Sequence, residues 1–120
     1  MVNVASRCGL TEVNYPQLAA LEVQYKAHGL RVLGFPSNQF ADQEPGTYQE
    51  IKAAATSFGV SFPLFAKADV AGPSAQPIFD FLEAPKWNFT KYLIGRDLHP
   101  FQSYGPRTPP LEWNRTSYRC

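Results

Sequence analysis

The chain has 120 residues, of which 44% are hydrophobic, and a formal net charge of +1; this length predicts one domain, residues 1–120, around one core. So small a net charge argues against nucleic acid and anionic membrane surfaces as partners, and the lack of a long apolar run or signal-peptide pattern argues against integral membrane association. Two cysteines near opposite ends make no disulfide framework, which favours a reducing compartment: the cytoplasm, or an organelle if a targeting segment is missing from this chain.

The chain opens on an apolar, β-prone run that ends at a cysteine. Val2 and Val4 predict a short buried strand, and the next periodic segment is helical, so Cys8 lies in a strand-to-helix turn. In open α/β sheets, ligands bind beyond the carboxyl ends of the strands. The helix dipole and the cation of Arg7 favour a thiolate there, and only the thiolate is a good nucleophile. The alternative is that Cys8 is a small buried apolar side chain without chemistry.

A helix is predicted from about Tyr15 to Ala27, where leucine and tyrosine side chains recur at helical spacing. We expect Asn14 to cap its N-terminus and Gly29 to follow its C-terminus. Residues 31–36 predict a second buried strand, and a helix between two such strands is a βαβ unit with a parallel pair. A right-handed crossover places the polar loop after this strand at the same sheet edge as Cys8.

The rest of the chain predicts two more helices, three more strands and a tail. In chain order we expect an amphipathic helix at 47–58, an edge strand at 62–65, a short helix near 77–82, strands at 87–94 and 101–104, and a poorly ordered tail over about 107–120. The predicted fold class is therefore α/β, with a central mixed β-sheet flanked by helices.

Three segments share a recognisable pattern: Asn3–Thr11, Phe35–Gly46 and Lys86–Lys91. In this order, with helices between them, they resemble the glutathione peroxidase family in its cysteine-containing, phospholipid-hydroperoxide-like branch. The similarity runs from Val2 to about Pro106. It implies a thioredoxin-like fold and a thiol peroxidase that reduces hydrogen peroxide and organic or lipid hydroperoxides in the response to oxidative stress.

The resemblance also implies a catalytic tetrad of Cys8, Gln43, Trp87 and Asn88. Cys8 falls on the family's peroxidatic cysteine or selenocysteine, and the others fall on its glutamine, tryptophan and asparagine. Amide and indole N–H groups suit this chemistry, because they are neutral donors that favour a thiolate and orient a peroxide. The product would be a sulfenic acid on Cys8, which thiols restore through a mixed disulfide, with no metal or organic cofactor. By residue type alone, Trp87 is a core aromatic, and the two amides are turn and strand-end residues.

The chain departs from the family pattern in several places. It opens within the family's first core strand, so we expect an N-terminally truncated fold that lacks the family's N-terminal hairpin. Ala55 and Ser37 stand where family members carry cysteines, and Cys120 lies in the tail. We therefore favour glutathione or another small thiol as the reductant, with a thioredoxin-like protein as the alternative. The short segment between Leu82 and Lys86 favours a monomer, since tetrameric members carry a longer insertion there.

Two alternative functions remain open. The first is a redox sensor or interaction protein that is oxidised once at Cys8 without efficient turnover, and the absence of resolving thiols favours it. The second is an inactive truncated homologue. The intact donor set favours the enzyme over both. A thiol-disulfide oxidoreductase of the Cys-x-x-Cys type is disfavoured, because Thr11 stands where the second cysteine would be.

Overall fold

A four-stranded mixed sheet organises the computed structural model, which describes residues 1–113. The strands are β1 (Val2–Val4), β2 (Gly34–Pro36), β3 (Lys91–Ile94) and β4 (Pro100–Tyr104). β1 and β2 are parallel, whereas β3 runs antiparallel to both β1 and β4, so the order across the sheet is β2-β1-β3-β4. The predicted α/β class, the mixed sheet and the parallel pair are confirmed.

The first helix, α1 (Thr11–Tyr25), continues as a 3₁₀ helix at Lys26–His28. It begins earlier than predicted, so the prediction that Asn14 caps it is wrong. Asn14 is buried within the first turns, where its side chain donates to the carbonyls of Leu10 and Pro106. The side chain of Asn14 thus makes a tertiary hydrogen bond to Pro106, which helical spacing alone does not predict.

The second helix, α2 (Tyr48–Ser57), follows its sequence signals closely. The Thr47 hydroxyl accepts the N–H of Glu50, and the Glu50 carboxylate accepts the N–H of Thr47, which together form a capping box. Ile51 and Ala55 face the interior and are buried. The amphipathic helix predicted here is confirmed.

Four predicted elements are smaller than expected, and one of them is the second strand, which is predicted over 31–36 and spans Gly34–Pro36. Residues 62–65 make a single parallel bridge, Gly34 with Leu64, because a strand containing proline cannot complete its ladder. The helix predicted near 77–82 is a 3₁₀ helix at Pro77–Phe81. The strand predicted over 87–94 begins only at Lys91, since a tight turn precedes it.

The interior contains two apolar clusters. The larger one includes Cys8, Tyr15 and Phe89, and the smaller one is built around Phe35 and Phe79. The ring of Tyr15 meets that of Phe89 edge-on, with centroids 5.3 Å apart. The thiol therefore lies at the edge of the main core rather than in a separate surface loop.

A buried lysine ties the chain after β4 to the sheet. Lys91 is 1% exposed, and its Nζ donates to the carbonyls of Gly105, Pro106 and Thr108 at 2.9–3.1 Å. A 3₁₀ helix follows at Pro110–Trp113. The rest of the segment that we expected to be a tail, including Cys120, lies outside the described residues.

Candidate active site

Cys8 lies in the turn between β1 and α1, as the sequence predicts, and is buried, with 8% of its surface exposed. The backbone N–H of Leu10 points to its Sγ at 3.4 Å. The Cys8 N–H donates to Oγ1 of Thr11 at 3.1 Å, and that hydroxyl donates to the carbonyl of Ala5 at 2.8 Å. One threonine side chain thus fixes the turn that presents the thiol.

Gln43 and Asn88, which the sequence places in one site, are in direct contact. Nδ2 of Asn88 donates to Oε1 of Gln43 at 2.8 Å. Asn88 is fully buried, whereas Gln43 is half-buried. The Gln43 carbonyl also accepts the N–H of Arg7 at 3.0 Å, so the loop is bound to the residue before Cys8. Because Oε1 is occupied, Nε2 of Gln43 is left as the donor that this amide offers to a ligand.

Trp87 is half-buried and packs against the apolar cluster that contains Cys8. Its ring lies 5.9 Å from that of Phe40, centroid to centroid. Trp87 and Leu10 line an open cavity of about 480 Å³ together with residues 105–108. Leu10 also provides the N–H that meets Sγ, so this cavity lies beside the turn that carries the thiol. Its volume lies within the range of small-molecule sites.

Asn3, on β1, fixes the turn that carries Trp87. Its Nδ2 donates to the carbonyl of Trp87 at 2.8 Å, and its Oδ1 accepts the N–H of Thr90 at 3.1 Å. Its backbone carbonyl accepts the N–H of Phe89 at 2.7 Å. Asn3 itself is fully buried. Three hydrogen bonds from one residue therefore hold this turn against the central strand.

Glu44 is a buried carboxyl group next to Gln43, with an exposed fraction of 1%. Its Oε1 accepts the N–H of Ser6 at 3.0 Å, whereas Oε2 is buried without a hydrogen-bond partner among residues 1–113. Burial raises the pKa of Glu44, and the hydrogen bonds from Ser6 and two nearby cations oppose that shift. Burial, and then the charge of Glu44, also raise the pKa of the Tyr15 phenol. Glu44 and Tyr15 are therefore ionisable groups that the fold keeps away from solvent.

Sequence reasoning missed Asn3, Glu44 and Lys91. Each carries a signal that is plain in hindsight: a polar or charged residue within an apolar run, or beside a candidate site residue. Nothing in the local sequence shows which distant carbonyl or N–H each one meets. Within residues 1–113, no three His, Cys, Asp or Glu side chains are grouped so as to hold a metal ion. A membrane-spanning helix is likewise not found in this range.

Residues 1–83 match the sequence model of the glutathione peroxidase family. The chain belongs to the glutathione peroxidase family. "Probable glutathione peroxidase 2" of Arabidopsis thaliana is 45% identical over 125 residues, which cover 96% of this chain and 74% of the relative. "Probable phospholipid hydroperoxide glutathione peroxidase 6, mitochondrial" of the same plant is 46% identical over 92% of this chain, and the match spans only about half (52%) of that relative.

Solved structures give the same result for the fold of this glutathione peroxidase. "Crystal structure of T. cruzi GPX1" superposes with a TM-score of 0.74 at 34% identity, covering 96% of this chain and 75% of that one. The predicted family, its phospholipid-hydroperoxide-like branch and the thioredoxin-like fold are confirmed. So is the predicted enzyme class, an oxidoreductase of the peroxidase type.

Proposed function

We propose that this glutathione peroxidase reduces hydrogen peroxide and organic or lipid hydroperoxides at Cys8, with Gln43, Trp87 and Asn88 as its hydrogen-bond donors. The observation that carries the proposal is the Asn88–Gln43 hydrogen bond. It joins two residues 45 positions apart in the sequence. The backbone carbonyl of Gln43 also accepts the N–H of Arg7, the residue before Cys8. The proposal needs no metal or organic cofactor.

In the first step, the thiolate sulfur of Cys8 attacks one oxygen of the peroxide, and the O–O bond breaks. The sulfur loses two electrons and becomes a sulfenic acid, while the other oxygen leaves as alkoxide or hydroxide and takes a proton to give alcohol or water. Negative charge moves from sulfur to the leaving oxygen. Fixed N–H donors around that path lower the barrier, because they are oriented before the reaction begins.

The three donors have distinct roles in this proposal. Nε2 of Gln43 and the indole N–H of Trp87 face substrate, because neither has a hydrogen-bond partner among residues 1–113 and both residues are half-buried. Asn88 orients Gln43 through its own Nδ2. Leu10 adds a backbone N–H at Sγ. All four groups stay neutral across the working pH range, so the site keeps its donors while the thiol ionises.

External thiols regenerate the enzyme in this proposal. A first thiol attacks the sulfenic sulfur and releases water, which leaves a mixed disulfide on Cys8. A second thiol attacks the first thiol's sulfur in that bond, so the two reductant molecules leave as a disulfide and the Cys8 thiol is freed. Cys8 is the free cysteine of the described residues, and the buried position 55 on α2 is an alanine. We therefore propose glutathione or another small thiol as reductant, ahead of a thioredoxin-like protein.

We also propose that the protein works as a monomer in a reducing compartment. A peroxidatic thiol regenerated by free thiols requires such surroundings, and the cytoplasm is the simplest of them. The mitochondrial name of one relative makes an organelle the alternative. Size-exclusion chromatography with light scattering, and imaging of a tagged full-length product, test these two points.

The deciding experiment compares the wild type with Cys8→Ser, and uses Cys120→Ser as the matched control, since these are the two cysteines of the chain. We expect Cys8→Ser to abolish hydroperoxide consumption with glutathione, and Cys120→Ser to retain it. Mass spectrometry should find one added oxygen atom on Cys8 after peroxide treatment without thiol. Turnover that survives Cys8→Ser removes the proposal. A mixed disulfide with a protein that accumulates without glutathione consumption establishes the redox sensor instead.

A further inference from the structure

The turn that carries Trp87 and Asn88 has a backbone conformation that its own residues do not favour. Its third residue, Phe89, is fully buried at φ +62°, in the left-handed region that bulky side chains avoid. Such a conformation persists only where the surrounding structure over-determines it, and such positions cluster at functional sites. The contacts that impose it are therefore informative.

Asn3 provides most of those contacts. The two ends of its side-chain amide bind the carbonyl of Trp87 and the N–H of Thr90, so they hold the turn from both sides. Its carbonyl accepts the N–H of Phe89 in between. The Thr90 hydroxyl adds a second donor to the Trp87 carbonyl at 3.0 Å. Only a side chain with a donor and an acceptor on a short stem makes both contacts, which explains a fully buried asparagine in an apolar strand.

We propose that Asn3 is a positioning residue of the peroxidatic site, which locks the 87–90 turn so that the Trp87 indole N–H faces the substrate and the Asn88 amide holds Gln43. The strand that bears Asn3 runs directly into the Cys8 turn, so one element carries the sulfur and also fixes the turn of Trp87 and Asn88. This inference rests on the proposed roles of Cys8, Trp87 and Asn88. A misplacement of about 1 Å at such a donor lowers a rate by roughly a hundredfold.

The test measures Asn3→Ala in a Trp113→Phe background, where Trp87 is the single tryptophan. Stopped-flow mixing with hydrogen peroxide gives the second-order rate constant for oxidation of Cys8, and the emission maximum of Trp87 reports the state of its turn. We expect the rate constant to fall by about tenfold to a hundredfold, with a red-shifted Trp87 emission, at temperatures where circular dichroism finds the variant folded. Ile51→Val, in the buried face of α2, is the control for lost stability alone and should move neither readout.

A second pair of variants keeps the test valid if Asn3→Ala does not fold. Thr90→Val removes the hydroxyl that shares the Trp87 carbonyl, with little change of shape, and we expect a smaller fall of about threefold to tenfold. Thr90→Ser restores the hydroxyl and should recover the rate. The inference is overturned if folded Asn3→Ala and Thr90→Val oxidise Cys8 with the wild-type rate constant. It is also overturned if their rate constants fall no further than that of Ile51→Val. Activity in Cys8→Ser would instead overturn the proposed function, so the two failures are distinguishable.

Discussion

The side chains of Asn88 and Gln43 are joined by an amide–amide hydrogen bond of 2.8 Å between residues 45 positions apart. The bond sets the orientation of both amides: Asn88 donates a hydrogen bond to Gln43, and Gln43 keeps its own N–H groups for another acceptor. Oδ1 of Asn88 is buried and has no partner among residues 1–113. The two amides therefore act as one unit, in which loss of either disturbs the other.

This relationship predicts coupled effects on the chemical step. We expect Gln43→Ala and Asn88→Ala each to slow oxidation of Cys8 by about a hundredfold to a thousandfold, the usual cost of losing an oriented donor. The double variant should lose less than the product of the two, with a coupling energy of roughly 0.5–3 kcal/mol. Stopped-flow rates for the full double-mutant cycle check this. As a control, Gln43→Ala combined with the exposed Thr56→Ala should give additive losses. Additive losses for Gln43→Ala combined with Asn88→Ala would show that the hydrogen bond carries no catalytic coupling.

Lys91 predicts an unusual alkaline dependence of stability. Burial lowers the pKa of Lys91 to about 8, whereas an unfolded lysine titrates near 10.4. Between these values the unfolded chain holds a proton that the folded chain has released, so this group adds to stability as pH rises. The slope for one proton is at most about 1.4 kcal/mol per pH unit.

Chemical denaturation of the wild type and of Lys91→Met, at intervals from pH 7.5 to pH 10, measures that slope. We expect the difference in free energy of unfolding, wild type minus variant, to increase over this range, because the other titrating groups are common to both. Lys91→Arg serves in the same way where the methionine variant does not fold, since arginine stays charged. Parallel stability curves for wild type and variant would contradict the prediction.

For Glu44 we predict a contribution to the free energy of unfolding that falls as pH rises, opposite in sign to that of Lys91. Its pKa is raised by burial, so the folded chain binds a proton more tightly than the unfolded chain, whose glutamates titrate near 4.3. The stability from this group is full below that value and is lost as pH rises through the folded pKa. Glu44→Gln removes this titration. We expect the stability of the variant relative to wild type to be greater at pH 8 than at pH 4.

Denaturation curves at the two pH values test the Glu44 prediction, and Glu50→Gln is the matched control. Glu50 is an exposed glutamate whose pKa is lowered by hydrogen bonds from Thr47, first from its backbone N–H and then from the Thr47 side chain. Its variant should therefore show a shift of opposite sign. If Glu44→Gln is equally stable relative to wild type at both pH values, the carboxyl group is not desolvated in solution.

The local elements could be predicted from the sequence because their causes are local. The Thr47–Glu50 capping box needs only residues within one turn, and the spacing of Ile51 and Ala55 fixes which face of α2 is buried. The same holds for the thiol, since a strand that ends just before a helix places Cys8 in the intervening turn whatever the rest of the chain does. The roles of Gln43, Trp87 and Asn88, in contrast, came from a resemblance and not from spacing.

Where prediction fell short, distant groups had decided the outcome. Asn14 reads as a helix cap until the carbonyl of Pro106, 92 positions away, is brought to its side chain. Residues 87–90 alternate like a strand, yet the hydrogen bonds of Asn3 turn them into a bend that puts Phe89 at positive φ. Local preferences differ by about 1 kcal/mol or less per residue, so a few buried hydrogen bonds are enough to override them.

The sequence by itself determined the helices, the parallel strand pair and the turn that presents the thiol, because backbone preference and burial pattern act within a few residues. Only the tertiary structure decided that Asn88 would bind Gln43, and that Asn3 would hold the turn beneath Trp87. Those contacts join segments 45 and 84 positions apart. They exist because the sheet places β3 beside β1, and buried amides must then be paired with whatever polar groups that packing brings to them.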